Sequence, residues 1–142
     1  MTRSLKTITF AVAAAVCLTA GSVSAARPAN VARTTWTLQV NRETSVLTID
    51  TQGGPGAPGA LNCRTIRGKL NGIAPIRGLY CPSTGFIHFV HQNVNSDIAV
   101  RVFTGSISDD VSGEGLYMAG TATVLISAFG DLGEYNFSAT ED

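Results

Sequence analysis

The stretch Gly85–Gly105, GFIHFVHQNVNSDIAVRVFTG, constrains this chain more than any other. Gly85–Gln92 and Ile98–Thr104 are rich in aromatic and β-branched residues, and Asn93-Val94-Asn95-Ser96-Asp97 between them is made of residues that bend a chain. The pattern predicts two antiparallel strands around a polar turn. A hairpin alone cannot bury its apolar surface, so the remaining chain has to complete a sheet around it.

The other segments have the same rhythm. Thr35–Val40 alternates, with Trp36, Leu38 and Val40 on one face, and Asn41-Arg42-Glu43-Thr44 turns the chain into a second strand, Ser45–Thr51. Gln52–Ala60 carries GGPGAPGA, whose proline and glycine forbid a regular ladder. Further strands are expected at Leu61–Arg67, Ile76–Cys81, Leu116–Ser127 and Gly133–Thr140. Eight short-linked strands make an up-and-down meander, which has two bare edges unless the last strand pairs with the first. We therefore expect an all-β fold, an eight-stranded antiparallel up-and-down β-barrel, with a two-sheet sandwich as the rival.

The chain opens with a short basic start holding Arg3 and Lys6, an apolar run over Thr7–Ala20, and the small residues Val23-Ser24-Ala25. This predicts a signal peptide over 1–25, cleaved before Ala26, then a loose leader over 26–34 and a single barrel domain over 35–142. Cleavage removes two of the ten basic residues and leaves eight against ten acidic ones, a net charge of −2. That balance argues against a nucleic-acid partner and against an anionic membrane. Cys63 and Cys81 remain, and an even pair in an exported domain reads as a disulfide. The expected location is secreted or periplasmic.

Three short motifs resemble the avidin and streptavidin family. Thr34-Thr35-Trp36-Thr37 keeps the tryptophan of that family's first strand and loses its glycine. Thr84-Gly85-Phe86-Ile87-His88-Phe89 is similar to its Gly-Trp/Phe-Thr-Val strand, and Phe103-Thr104-Gly105 to its aromatic-Ser/Thr-Gly segment. The resemblance implies an eight-stranded barrel, self-assembly, and a ligand-accepting mouth ringed by alternate loops. Those loops hold Asn41, Arg42, Thr44, Asn71, Asn93, Asn95 and Asp131. The family's biotin-gripping groups are largely replaced: Val90 stands for a stacking tryptophan, Arg101 for a hydroxyl and Leu38 for an asparagine. Tight biotin binding is not expected.

Mapped onto the family, Phe86, His88 and Val90 face inward, across from Arg101 and Phe103. A buried charge needs a partner. The candidate ligand-binding residues are thus Asn41, Thr44, Phe86, His88, Val90, Arg101 and Phe103, with His88 and Arg101 holding an anionic or polar group and the two phenylalanines packing an apolar one. The opposite face, with Ile87, Phe89, Val100, Val102, Met118, Ala122 and Val124, is then an apolar exterior and predicts a homo-oligomer. Enzyme signatures are scarce. His88 and His91 are three apart on a strand and point to opposite faces. Asp109, Asp110 and Glu114 lack the spacing of a calcium loop, and no triad or phosphate loop is visible. We expect no enzyme, no cofactor and no metal. The expected function is binding of a small molecule, and the alternative is a secreted protein-binding barrel such as an inhibitor of an extracellular hydrolase.

Overall fold

In a computed structural model the chain forms eight antiparallel strands that follow one another around a closed barrel. The structure describes residues 27–54, 62–92, 99–109, 115–127 and 132–142. The expected signal peptide, most of the GGPGAPGA loop, the turn at Asn93–Asp97, the acidic pair member Asp110 with Glu114, and Asp131 lie outside the described residues. The strands are β1 Thr34–Val40, β2 Glu43–Gln52, β3 Arg64–Leu70, β4 Ala74–Cys81, β5 Phe86–Gln92, β6 Ala99–Asp109, β7 Leu116–Ser127 and β8 Gly133–Glu141. Closure is direct: β1 pairs with β8 from Trp36↔Glu141 to Val40↔Phe137. Every ladder therefore has a partner on both sides, and no edge is left to recruit another chain.

The largest departures from the expected boundaries are at β3 and β6, while β2 and β4 each begin two residues early. β3 lies three residues later than Leu61–Arg67, because the turn into β4 is short. Asn71 (φ 52°) and Gly72 (φ 70°) adopt the left-handed conformation that such a turn needs. Asn71 also fastens the turn to β2: its backbone N–H donates to the Val46 carbonyl at 2.7 Å, and its Oδ1 accepts from the Val46 N–H at 2.8 Å. β6 runs on past Thr104 to Asp109, because Gly105 and Ile107 keep pairing with Gly120 and Met118.

Alternation puts one face of every strand inside. Trp36 and Leu38 of β1, Leu47 and Ile49 of β2, Tyr80 of β4 and Met118 of β7 are fully buried there. At mid-height Phe89 and Phe103 stack with centroids 4.5 Å apart, and Phe137 meets Phe103 edge-on at 5.4 Å. Side chains thus fill the middle of the barrel, as the width of an eight-stranded barrel permits.

The far end is capped by the N-terminal segment, which the sequence had suggested was loose. Val31 is fully buried. Its N–H donates to Gln52 Oε1 at 2.9 Å, Gln52 Nε2 donates to the Ala29 carbonyl at 3.2 Å, and the Tyr80 hydroxyl donates to the Pro28 carbonyl at 2.6 Å. Burial pushes the Tyr80 phenol up to about 12, so it stays a donor at any ordinary pH. One buried valine and three backbone groups held by the Gln52 and Tyr80 side chains tie this leader down, a signal that composition does not carry.

Cys63 and Cys81 form the expected disulfide. The pairing Arg64↔Tyr80 sets the two cysteines opposite each other, Cys63 just before β3 and Cys81 at the last position of β4. In the chain-entropy account a loop of this length contributes about 3 kcal/mol. The disulfide is consistent with an extracellular or otherwise oxidising compartment. Among the described residues no helix is long and apolar enough to cross a membrane.

Candidate functional site

The end opposite the cap is the mouth, rimmed by the β1–β2 and β3–β4 turns. Below the rim, two neighbouring strands present polar groups to the interior. His91, the last inward residue described on β5, pairs with Arg101 on β6. Only 8% of His91 is exposed. Among the described residues, its Nδ1 and the Arg101 Nε are buried with no hydrogen-bond partner. Desolvating such atoms without a partner is costly, about 1–3 kcal/mol each, so both are unusual in a folded interior.

Among the described residues Arg101 has one charged contact. Its Nη1 donates to Glu43 Oε2 at 3.1 Å, reaching from β6 across the mouth to the start of β2. The Glu43 side chain is 61% exposed against 17% for Arg101. A half-solvated pair of this kind stabilises by about 0–1 kcal/mol, so little is lost when Glu43 swings away. The pair divides the mouth. On one side lies a cavity of about 220 Å³ lined by Val40, Asn41, Arg42, Val124 and Tyr135. On the other lies one of about 310 Å³ lined by Ser45, Leu70, Asn71, Ile73, Ala74 and His91. Glu43 and Arg101 belong to both.

Of the seven candidate residues, the structure brings two to this mouth, Asn41 and Arg101. Thr44 is exposed and pairs with outward-facing Gln39. Phe103 is inside but fully buried below the cavities, in the aromatic stack. Phe86, His88 and Val90 face outward, which corrects the inward placement. The ladder is Phe89↔Phe103 and His88↔Thr104, and His88 Nδ1 lies 3.0 Å from the Thr104 hydroxyl on the outer surface. The same parity corrects the proposed exterior: Ile87, Phe89, Met118, Ala122 and Val124 are interior, while Val100 and Val102 are half-buried outside.

The physical reason is that both faces of β5 are apolar and each carries a histidine. A period of two then has no contrast to set which face goes in. Glycines decide it. Gly78 stands across from Phe89, and Gly105 across from Ile87. Large side chains on one strand fill space left by absent ones on its neighbours. That complementarity is readable in the sequence once the pairing is known. His91, Glu43 and Tyr135 were missed as site residues. His91 was set aside when His88 was placed inside, Glu43 looked like an ordinary turn residue, and Tyr135 sits in a strand whose register only closure fixes.

The electrostatics of His91 give a prediction. Burial, and then the Arg101 guanidinium, lower the pKa of its imidazole. Among the described residues, Arg101 from β6 and Glu43 across the mouth are the charged groups that face it, while Ile76 opposite it on β4 is uncharged. The unfolded chain binds this proton more readily than the folded one. His91 therefore supports the fold above its unfolded pKa of about 6.5, and this contribution drains away as pH falls through that value, by at most about 1.4 kcal/mol per pH unit. Denaturant midpoints at pH 7 and pH 5 should show a smaller drop for His91→Gln than for the parent protein. Equal drops would mean that His91 is solvated in the folded state.

Among the described residues no three His, Cys, Asp or Glu side chains gather as a metal site. His88 and His91 lie on opposite faces of β5, as their spacing requires. No protein-family model, curated protein or solved structure matches this chain.

Proposed function

We propose that the protein is an exported barrel of avidin-like design that binds a small molecule at its mouth and carries out no chemistry on it. The observation that carries this reading is that His91 Nδ1 and Arg101 Nε, at the edge of two cavities, are buried without a hydrogen-bond partner among the described residues. Such atoms are ordinarily satisfied by protein or by something that visits. The filled middle of the barrel restricts the ligand to the rim. A biotin-like molecule seated deep among aromatic rings has no room beside Phe89, Phe103 and Phe137, which supports reading the chain as something other than a tight biotin binder.

Homo-oligomerisation belongs to the same proposal. The outer surface of β5–β7 holds Phe86, Val90, Val100, Val102 and Leu125, none of them fully buried. Antiparallel sheets ordinarily present polar residues on a solvated face. Native mass spectrometry of the protein from its own source reads out both points together. A retained small molecule and a multimer are expected. A bare monomer, with the disulfide intact, would count against both.

One observation favours the second reading, a barrel whose loops bind another protein. Ile73, at the tip of the β3–β4 turn, is 82% exposed on the mouth rim. An apolar residue held out on a tight turn suits insertion into a partner's cleft. Ile73→Asp tests this reading through partner capture alone, because Ile73 also lines the cavity beside His91: it abolishes capture of a partner protein if the turn inserts into a cleft, and capture that survives the substitution overturns the second reading.

A further inference from the structure

Glu43 is the most exposed member of the mouth's ion pair, yet it occupies the group a ligand would want. Among the described residues, the cavity on the Val40 side is lined by two arginines, Arg42 and Arg101, against one acid, Glu43. The remaining lining there is mostly apolar: Val40, Val124 and the ring of Tyr135. On the other side of the pair stands the buried His91, whose Nδ1 has no hydrogen-bond partner among the described residues.

We propose that Glu43 is a built-in stand-in for the ligand's own anionic head, and that the ligand is a small carboxylate with an apolar or aromatic tail. The proposal rests on the mouth being a ligand site and names what it takes. In the empty protein the Glu43 carboxylate satisfies one face of Arg101. An incoming carboxylate displaces it. One oxygen takes up the Arg101 guanidinium, including the Nε that Glu43 leaves unpaired, and the other accepts from His91 Nδ1–H. A charge-assisted bond from the guanidinium to a carboxylate oxygen is shorter and roughly twice as strong as a neutral one. The tail then lies in the lobe between Val40, Val124 and Tyr135. Displacing Glu43 also removes the partition, so the two cavities become one.

The exchange accounts for three separate facts. It explains why a solvent-exposed acid reaches over the opening instead of extending into water. It explains why two buried polar atoms, on adjacent strands and in register, lack partners. It also explains why the lobe beside the ion pair is apolar while its charge balance is positive. A purely structural ion pair accounts for the first alone.

The test uses the mature, disulfide-bonded protein and three probes of one shape: phenylacetate, its neutral amide phenylacetamide, and the cation 2-phenylethylammonium. Titration calorimetry gives the affinities, and amide chemical shifts locate the site. Phenylacetate should bind at the mouth at least about tenfold more tightly than the amide, with the cation weakest. Glu43→Gln removes the competing charge and should tighten phenylacetate by about tenfold, with no such gain for the amide. Arg101→Gln should abolish the preference for the acid. Because Glu43 is on the surface, Glu43→Gln tests the exchange without threatening the fold. If Glu43→Gln leaves phenylacetate unchanged or weaker, the exchange is wrong. If the amide or the cation binds at the mouth as tightly as the acid, the site takes ligands but not anions, and only this inference falls. If none of the three binds either protein, the inference falls as well, and the molecule retained in native mass spectrometry decides the broader reading.

Discussion

Phe103→Ala is expected to lose about 3–5 kcal/mol of stability, most of what a domain of this size has in reserve. Phe103 is wholly buried at mid-barrel, stacked on Phe89 from the neighbouring strand and met edge-on by Phe137. Removing its ring deletes both aromatic contacts and leaves a hole that the closed ladder cannot collapse to fill. Strands on a closed barrel are pinned on both sides, so relaxation is limited and the cavity term stays large. The comparison is Val90→Ala on the outer face, where the loss should stay near 1 kcal/mol or below. Urea midpoints distinguish the two. The result also separates structure from binding. Phe103 lines neither mouth cavity, so the surviving folded fraction of Phe103→Ala should bind phenylacetate as the parent does. A loss of binding without a loss of stability would restore Phe103 to the ligand site.

Much of the architecture was legible because it rests on local signals. Asn41-Arg42, Asn71-Gly72 and Gly85 mark turns by their own backbone preferences, and the strands run from seven to twelve residues. The cysteine pair confirmed one ladder: Cys63 can oppose Cys81 only with a turn near Asn71, and the turn is there. Closure was harder, since nothing in β1 or β8 alone announces the other. It was inferred from the cost of bare edges, and Trp36↔Glu141 through Val40↔Phe137 bears it out.

The inward placement of Arg101 was legible, and the parity of β5 was read one residue out. A histidine does stand beside Arg101 inside the mouth, but it is His91 and not His88. The error came from borrowing the parity of β5 from short motifs, where Phe86-Ile87-His88-Phe89 reads equally well both ways. β6 has the contrast that β5 lacks: Phe103, Gly105 and Ile107 face in while Thr104 and Ser106 face out. Starting from that strand and pairing outward fixes Phe89 opposite Phe103, and the rest follows. Glu43 could not have been found this way. Its role depends on two strands far apart in the chain facing each other across a closed ring, a relation that no local pattern encodes.

That the interior is shut at mid-height depends on how closely β6 and β7 approach, and Gly120 is where this can be tested. Gly120 pairs with Gly105 on one side and with Phe137 on the other. A Cβ at Gly120 would run into the Thr104 carbonyl, and one at Gly105 into the Ala119 carbonyl. The obstacle in each case is backbone, which cannot turn aside as a flexible side chain does. Gly120→Ala must therefore push β6 and β7 apart and disturb the seat of Phe137, and its cost should reach about 3 kcal/mol, the upper end for overpacking. Gly54 supplies the control. Among the described residues nothing lies within 4 Å of a Cβ built there, so Gly54→Ala should change stability by less than about 0.5 kcal/mol. Thermal unfolding of the two variants beside the parent gives the answer. If Gly120→Ala unfolds with the parent, the strands have room to part. A ligand could then reach below the rim, past Val40 and Val124 toward the aromatic stack, and the restriction of binding to the mouth would have to be abandoned.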